Sequence, residues 1–278
     1  MGEETENRRT GGWMGGWIER DEFVPVRMPL HQLTQPAEQQ IHLWYLDLGD
    51  LGGSLRQALG GEGGSGESGD DESRDGLGKQ ADEPMDVLRL RFARRFYLRL
   101  LLGAYLGLPG KDVVINRSNR GKPVLDAREH DSNLKFSMAK SESRLLIGIS
   151  ASRHIGVDLE PQWRKARDPL RLAQRYFSAA EFTALQHVPA ARVDEAFLRA
   201  WACNEAVVKA SGLGIANQLC RFTVQMDPDL PPALLEIEND RAEFWSLTLV
   251  RPSTNFIGAV ATRQTLGQVR CFKLLAAA

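Results

Sequence analysis

Apolar positions along the chain fall into short alternating runs separated by helical stripes. The first run, 41–48 (IHLWYLDL), is β-prone and ends at a Gly-Asp turn, which predicts a strand. A helix is predicted over 85–106. Val87, Leu88, Phe92, Phe96, Leu100 and Tyr105 form its apolar stripe, and Arg89, Arg91, Arg94, Arg95 and Arg99 line other faces. Pro84 opens it, Asp82 and Glu83 suit its positive end, and Leu108-Pro109-Gly110 stops it. A short strand at 113–116, a tight turn at 119–123 (NRGKP) and strands at 134–138, 145–150 and 155–160 follow. Helices are expected at 170–177, at 179–187 with the capping box Ser178/Glu181, and at 193–211, where Gly212 supplies the stop. Strands at 221–226, 234–237, 244–251 and 256–262, and a fifth at 269–274, close the chain. The order predicts an α+β fold of two related lobes. Each lobe would be a mainly antiparallel sheet with a long helix.

The breaks in this pattern set the expected domains. Residues 1–40, rich in Gly, Pro and charge, read as a loose N-terminal arm, 41–135 as an N-terminal lobe and 136–278 as a C-terminal lobe. Inside the first lobe the stretch at about 60–83 (GGEGGSGESGDDES and its flanks) lacks aromatic residues. It cannot bury enough apolar surface to offset its ordering entropy, so it reads as a disordered acidic insert.

Composition narrows the function. The 278 residues carry 35 basic and 36 acidic side chains, a net charge of -1, which argues against a nucleic-acid-binding surface. Any anion site must be a local cluster. Cys203, Cys220 and Cys271 are far apart and form no CxxC pair, so neither a zinc knuckle nor a disulfide framework is expected, and a reducing, cytoplasmic setting fits. The longest apolar stretch, 96–108, is broken by Arg99 and too short to span a bilayer.

Candidate chemistry lies in two places. On a strand, Asp158 and Glu160 point to one face while Val157 and Leu159 point to the other. On a helix, Trp201, Glu205 and Lys209 share one face. Each alone is equally an acidic strand end or a surface ion pair. Together, three carboxylates suit Mg²⁺, which takes a few carboxylates plus substrate phosphates and water. Lys122, Lys140, Ser141, Lys209 and the helix arginines are the candidates to hold those phosphates. Such a site works by positioning and charge neutralisation.

Five segments in order carry a resemblance. They are Gly121-Lys122-Pro123, Phe136-Ser137-Met138-Ala139-Lys140-Ser141, Ile155-Gly156-Val157-Asp158-Leu159-Glu160, Arg175-Tyr176-Phe177-Ser178-x-x-Glu181 and Trp201-x-x-Asn204-Glu205-Ala206-x-x-Lys209-Ala210-Ser211-Gly212. The set resembles the 4′-phosphopantetheinyl transferases of the long, two-lobed type that activate carrier proteins of peptide, polyketide and fatty-acid synthases. The resemblance implies transfer of the 4′-phosphopantetheine arm of coenzyme A to a serine of an apo acyl or peptidyl carrier protein, releasing adenosine 3′,5′-bisphosphate. It implies Mg²⁺ on Asp158, Glu160 and Glu205, with Glu205 as general base and Lys209 neutralising charge on the phosphate or leaving group. Lys122 and Pro123 would hold the adenine end, Lys140 and Ser141 the phosphates, and Arg91 the 3′-phosphate. The basic stretch 163–177 would face the carrier. The resemblance implies one active site at the junction of the two lobes, and hence a monomer; the balanced charge and the short apolar runs speak against nucleic acid and membrane as partners.

Two departures stand out. The family usually has Ser-His-Ser where this chain has Ala139-Lys140-Ser141, and Lys where Asn204 stands. One expectation is compensation, Lys140 supplying the charge that position 204 lacks. The other is a weakly active or non-catalytic paralogue that serves as a carrier-protein or coenzyme-A-binding module.

Overall fold

β-Branched and aromatic residues at alternate positions set most of the strands. The computed structural model describes residues 17–52, 87–151, 154–212, 219–264 and 267–277. The expected insert at 60–83, and the helix start at Pro84, lie outside the described residues. In chain order the strands are β1 (Trp17–Ile18), β2 (Phe23–Arg27), β3 (Gln40–Asp47), β4 (Ile115–Arg117), β5 (Pro123–Leu125), β6 (Leu134–Ser141) and β7 (Arg144–Ala151). Then come β8 (Ile155–Pro161), β9 (Phe222–Val224), β10 (Leu234–Ile237), β11 (Ser246–Ser253), β12 (Phe256–Thr262) and β13 (Gln268–Leu275). The helices are α1 (Val87–Leu106), α2 (Pro169–Tyr176), α3 (Ala179–His187) and α4 (Val193–Ser211). The class is α+β.

Two sheets organise these elements. A five-stranded sheet has the order β2-β13-β3-β7-β6 and a four-stranded one the order β1-β11-β12-β8. The pairs β4–β5 and β9–β10 stand apart. β13 runs parallel to both β2 and β3, and β1 runs parallel to β11; the other pairs are antiparallel. The expected lobe boundary at 135/136 therefore cuts through β6, and β13 returns from the far end of the chain to the first sheet. Pairing partners distant in sequence leave no local signal, which is why the sequence pattern misplaces this boundary.

From Trp17 onward the segment read as a loose arm is tied down, with β1 in one sheet and β2 in the other. The Trp17 ring lies against two guanidinium groups, Arg251 at 3.9 Å and Arg199 at 5.3 Å. Such cation–π contacts favour an aromatic ring with a desolvated cation on its face.

The apolar stripe assigned to α1 is also corrected. Its buried face is Ala93, Tyr97, Leu101 and Tyr105, spaced four apart, with Leu98 and Leu102 beside them. Val87 and Leu88 are 71% and 73% exposed. The Tyr105 hydroxyl accepts from Trp44 Nε1 at 2.9 Å and lies 2.7 Å from His42 Nδ1 on β3, so polar pairing as well as hydrophobicity fixes the helix on its sheet.

The edges matter for function. β6 is the edge of the five-stranded sheet and β8 the edge of the four-stranded one. The Val157 amide donates to Ser137 Oγ across this seam at 3.2 Å. A hydroxyl thus satisfies an edge N–H that would otherwise lack a partner, and it joins the two sheets where the candidate residues converge.

Candidate active site

Val157 and Leu159 enter the apolar cluster between the sheets, so Gly156, Asp158 and Glu160 leave β8 on its other face. Helix α4 lies on that face. At Gly156 a Cβ would overlap the Ala206 carbonyl oxygen and the Ala210 amide nitrogen, and it would stand 3.0 Å from the Ala206 carbonyl carbon. The missing side chain is what lets helix and strand meet so closely.

This contact brings the predicted residues together. Lys209 Nζ lies 2.6 Å from Asp158 Oδ1 and 3.8 Å from Glu205 Oε2. Asp158 and Glu205 are only 5% and 8% exposed. Glu160 is pushed up to about 7 by burial and by the Asp158 charge, with Glu205 adding to this and Arg164 and Lys209 opposing it. Burial, then Asp158, raises Glu205 as well, and Lys209 pulls it back. Three carboxylates therefore share one electrostatic field.

They are not a preformed metal cage. Among the described residues no three His, Cys, Asp or Glu side chains are gathered closely enough to ligate one ion. The Lys209 ammonium stands among the carboxylates instead. Even so, one ammonium faces three carboxylates, two of them pushed up by burial and by Asp158, and the Arg164 guanidinium, 3.7 Å from Glu160, is mostly exposed and screened. Asp158 Oδ2 is buried and has no hydrogen-bond partner among the described residues. An orphaned oxygen in an all-oxygen donor set fits a hard divalent cation.

Beside Lys209 a cavity of about 270 Å³ opens, lined among others by Gly121, Lys122, Pro123, Met138 and Val208. The turn that forms one wall is knotted on Ser118. Gly121 N–H donates to Ser118 O at 2.8 Å, Ser118 N–H to Lys122 O at 2.8 Å, and Lys122 N–H to Ser118 Oγ at 3.1 Å. Gly121 has φ +84°, a left-handed value that suits glycine.

The other candidates are placed differently from the expectation. Lys122 does not extend a free ammonium towards a phosphate; its Nζ donates to Ile155 O at 2.8 Å and Lys209 O at 2.6 Å. Arg91 is exposed on α1, and no α1 residue lines the cavity. Lys140 is exposed on β6, two residues beyond Met138 and on the same strand face, and half-buried Ser141 ends that strand. Ala139 packs with Val157 and Leu159, where a serine hydroxyl would be buried in an apolar cluster.

Asn204 stands in surroundings unlike those the compensation idea assumed. It is fully buried, and its Nδ2 donates to Glu181 Oε1 at 3.1 Å on α3. Lys140 is exposed on β6, whereas position 204 is sealed in the interior against Glu181. Glu181 also accepts from the Val224 amide at 3.0 Å and, in its capping box, from the Ser178 amide at 2.9 Å. The capping box was legible in sequence; the second task of its glutamate was not, because both partners are distant along the chain.

Burial pushes Glu181 up to about 7, against the donors from Val224, Ser178 and Asn204 that pull it down. Between its ordinary 4.5 and about 7 the folded chain keeps a proton that the unfolded chain has lost. Stability from this group therefore falls as pH rises through that window. Between pH 5 and 7.5 the unfolding free energy of the wild type should drop by about 1–3 kcal/mol more than that of Glu181→Gln. Urea denaturation at both pH values measures the difference.

Trp201 packs against Phe177, Phe197 and Tyr176, so it ties α4 to α2, and it borders the core cluster that α4 shares with β11 and β12. Cys203, buried in the same helix, has its thiol pushed up to about 12 by burial and is a core residue.

Residues 154–261 match the family model described as the 4′-phosphopantetheinyl transferase superfamily. The 4′-phosphopantetheinyl transferase HetI of Nostoc sp. is 37% identical over 174 residues, which is 62% of this chain and 70% of that protein. This chain belongs to the 4′-phosphopantetheinyl transferase family. The 4′-phosphopantetheinyl transferase psf-1 of Bacillus pumilus is 29% identical over 132 residues, 48% of this chain and 54% of its own length. The human L-aminoadipate-semialdehyde dehydrogenase-phosphopantetheinyl transferase is 23% identical over 143 residues, 49% of this chain and 46% of its own. With these two relatives the match thus spans only about half their length. Asp158, Glu160, Glu205 and Lys209 of this transferase all fall inside the segment matched by the family model, whereas Arg91, Lys122 and Lys140 fall outside it. No helix among the described residues of the transferase is long and apolar enough to cross a membrane.

Proposed function

We propose that the chain transfers the 4′-phosphopantetheine arm of coenzyme A to a serine of an apo acyl or peptidyl carrier protein, with Mg²⁺, releasing adenosine 3′,5′-bisphosphate. The observation that carries this reading is the buried cluster of carboxylates around one ammonium, with its orphaned Asp158 oxygen, beside the cavity at the Gly121-Lys122-Pro123 turn. Asp158, Glu160 and Glu205, which are not gathered around one point as they stand, would have to close on the metal ion to hold it. Bound there, Mg²⁺ supplies charge neutralisation to a diphosphate.

The chain's own groups perform the rest. Glu205, its basicity raised by burial, takes the proton of the incoming serine hydroxyl. The serine oxygen bonds to the phosphorus that carries the pantetheine arm. The bond from that phosphorus to the bridging oxygen breaks, and adenosine 3′,5′-bisphosphate leaves with the electron pair. The Lys209 ammonium stabilises the negative oxygens as that charge develops. Lys140, exposed beyond Met138 on the cavity-lining strand, offers a second cation for phosphate. The carrier would dock on the exposed stretch bearing Trp163, Arg164, Lys165, Arg167, Arg171 and Arg175, whose charge complements an acidic helix.

Incubation with coenzyme A, Mg²⁺ and an apo carrier should add the mass of one phosphopantetheine arm to the carrier. EDTA should suppress the gain and added Mg²⁺ restore it. Carrier binding without mass gain, across a fatty-acid and a secondary-metabolism carrier, would establish the non-catalytic module instead.

A further inference from the structure

The last carbonyl groups of α4 have no donor within the helix. Gly212 N–H and Ser211 Oγ both return to Val208 O, at 3.1 and 2.9 Å. Lys209 O and Gly212 O are met from outside, by two cations of one turn, Lys122 Nζ at 2.6 Å and Arg120 Nη1 at 3.4 Å. Cations there oppose the negative end of the helix dipole. The same Lys122 ammonium lies 2.8 Å from Ile155 O, at the start of β8. One side chain therefore reaches the strand just before Asp158 and the helix just beyond Glu205.

We propose that Lys122 is a positioning residue. Its ammonium pins the helix bearing Glu205 and Lys209 to the strand bearing Asp158 and Glu160, and so fixes the separation of the carboxylates, rather than binding a phosphate of the substrate. The inference deepens the transferase reading and rests on it.

Two features support this role. Lys122 is half-buried, and among the described residues its ammonium donates to two neutral carbonyl oxygens, charge-assisted bonds that offset its removal from water. Burial, with the Lys209 charge adding to it, brings its pKa down to about 8, the mark of a cation held away from bulk water. The Ser118 knot fixes the base of the side chain, so a swing towards a ligand would break both bonds and leave the α4 carbonyl orphaned.

The test compares the full-length wild type with Lys122→Met in two calorimetric titrations, Mn²⁺ without coenzyme A and coenzyme A without a divalent ion. The expected result is a dissociation constant for Mn²⁺ raised by roughly tenfold, as for other residues that orient metal ligands, with that for coenzyme A within about twofold. A phosphate ligand would show the reverse pattern, and that result overturns the proposal, as do equal changes in both titrations or in neither. If Lys122→Met does not fold, Lys122→Arg decides by the same titrations. It keeps the charge, but its planar fork replaces a compact ammonium between two carbonyls, so Mn²⁺ binding alone should weaken. A wild type that binds no Mn²⁺ overturns the metal reading and this proposal together. A wild type that binds Mn²⁺ no more tightly than the variant overturns the role of Lys122 alone.

Discussion

Asp158→Asn should lower phosphopantetheine transfer on the order of 10³-fold, about 4 kcal/mol of transition-state stabilisation, while the protein stays folded. Asparagine keeps the shape of the side chain but removes its charge. Oδ2, now buried without a partner, is the oxygen best placed to meet a cation, and the change takes away that donor. Lys209 keeps a neutral amide oxygen as its 2.6 Å partner but loses the ionic attraction, and it keeps Glu205 at 3.8 Å. Meanwhile Glu160 and Glu205, both raised in part by Asp158, become easier to ionise. Lost attraction to Lys209 and relieved repulsion among carboxylates oppose each other in stability, so the melting temperature should move by a few degrees at most. Transfer rates from the mass assay and a thermal melt, run side by side, check both halves. A variant that keeps a tenth of wild-type activity would show that Asp158 is not central to the reaction.

Gly156→Ala acts through the backbone and should be the most damaging single methyl group in the site. The new Cβ has no flexible side chain to displace; it meets the Ala206 carbonyl and the Ala210 amide of α4. The helix must lift or the strand must bend, and neither can move independently, because Ala206 and Ala210 are buried in the core on that helix. Overpacking of this kind costs about 3 kcal/mol. Lifting α4 also separates Lys209 from Asp158, so transfer should fall even under conditions where the variant remains folded. Urea unfolding and the transfer assay measure the two effects. Wild-type values in both would mean that the close approach of helix and strand is dispensable.

Much of this arrangement was legible in the residues. The alternation that places Asp158 and Glu160 on one face, and the helical spacing of Glu205 and Lys209, are local properties, and the structure keeps both. What was not legible came from contacts across long sequence separations. The strand at β13 was recognisable from its composition, yet nothing in it names β2 and β3 as neighbours. Lys122 was recognisable as a cation near a tight turn, but its two carbonyl acceptors lie on elements that only the fold brings to it. Asn204 looked like a missing charge in the site because it precedes Glu205. One residue on a helix is a rotation of about 100°, and that turns its side chain to Glu181 instead. Gly156 left a faint signal, a glycine inside a strand of larger residues, which marks close backbone approach.

The central place of β13 sets an order of assembly. During synthesis on the ribosome, β2 and β3 emerge early but cannot complete their sheet until residues 268–275 have left the exit tunnel and inserted between them. Until then the nascent chain carries two unpaired strand edges, which invite pairing with other chains. Closing so long a loop is slow, so the five-stranded sheet is completed late.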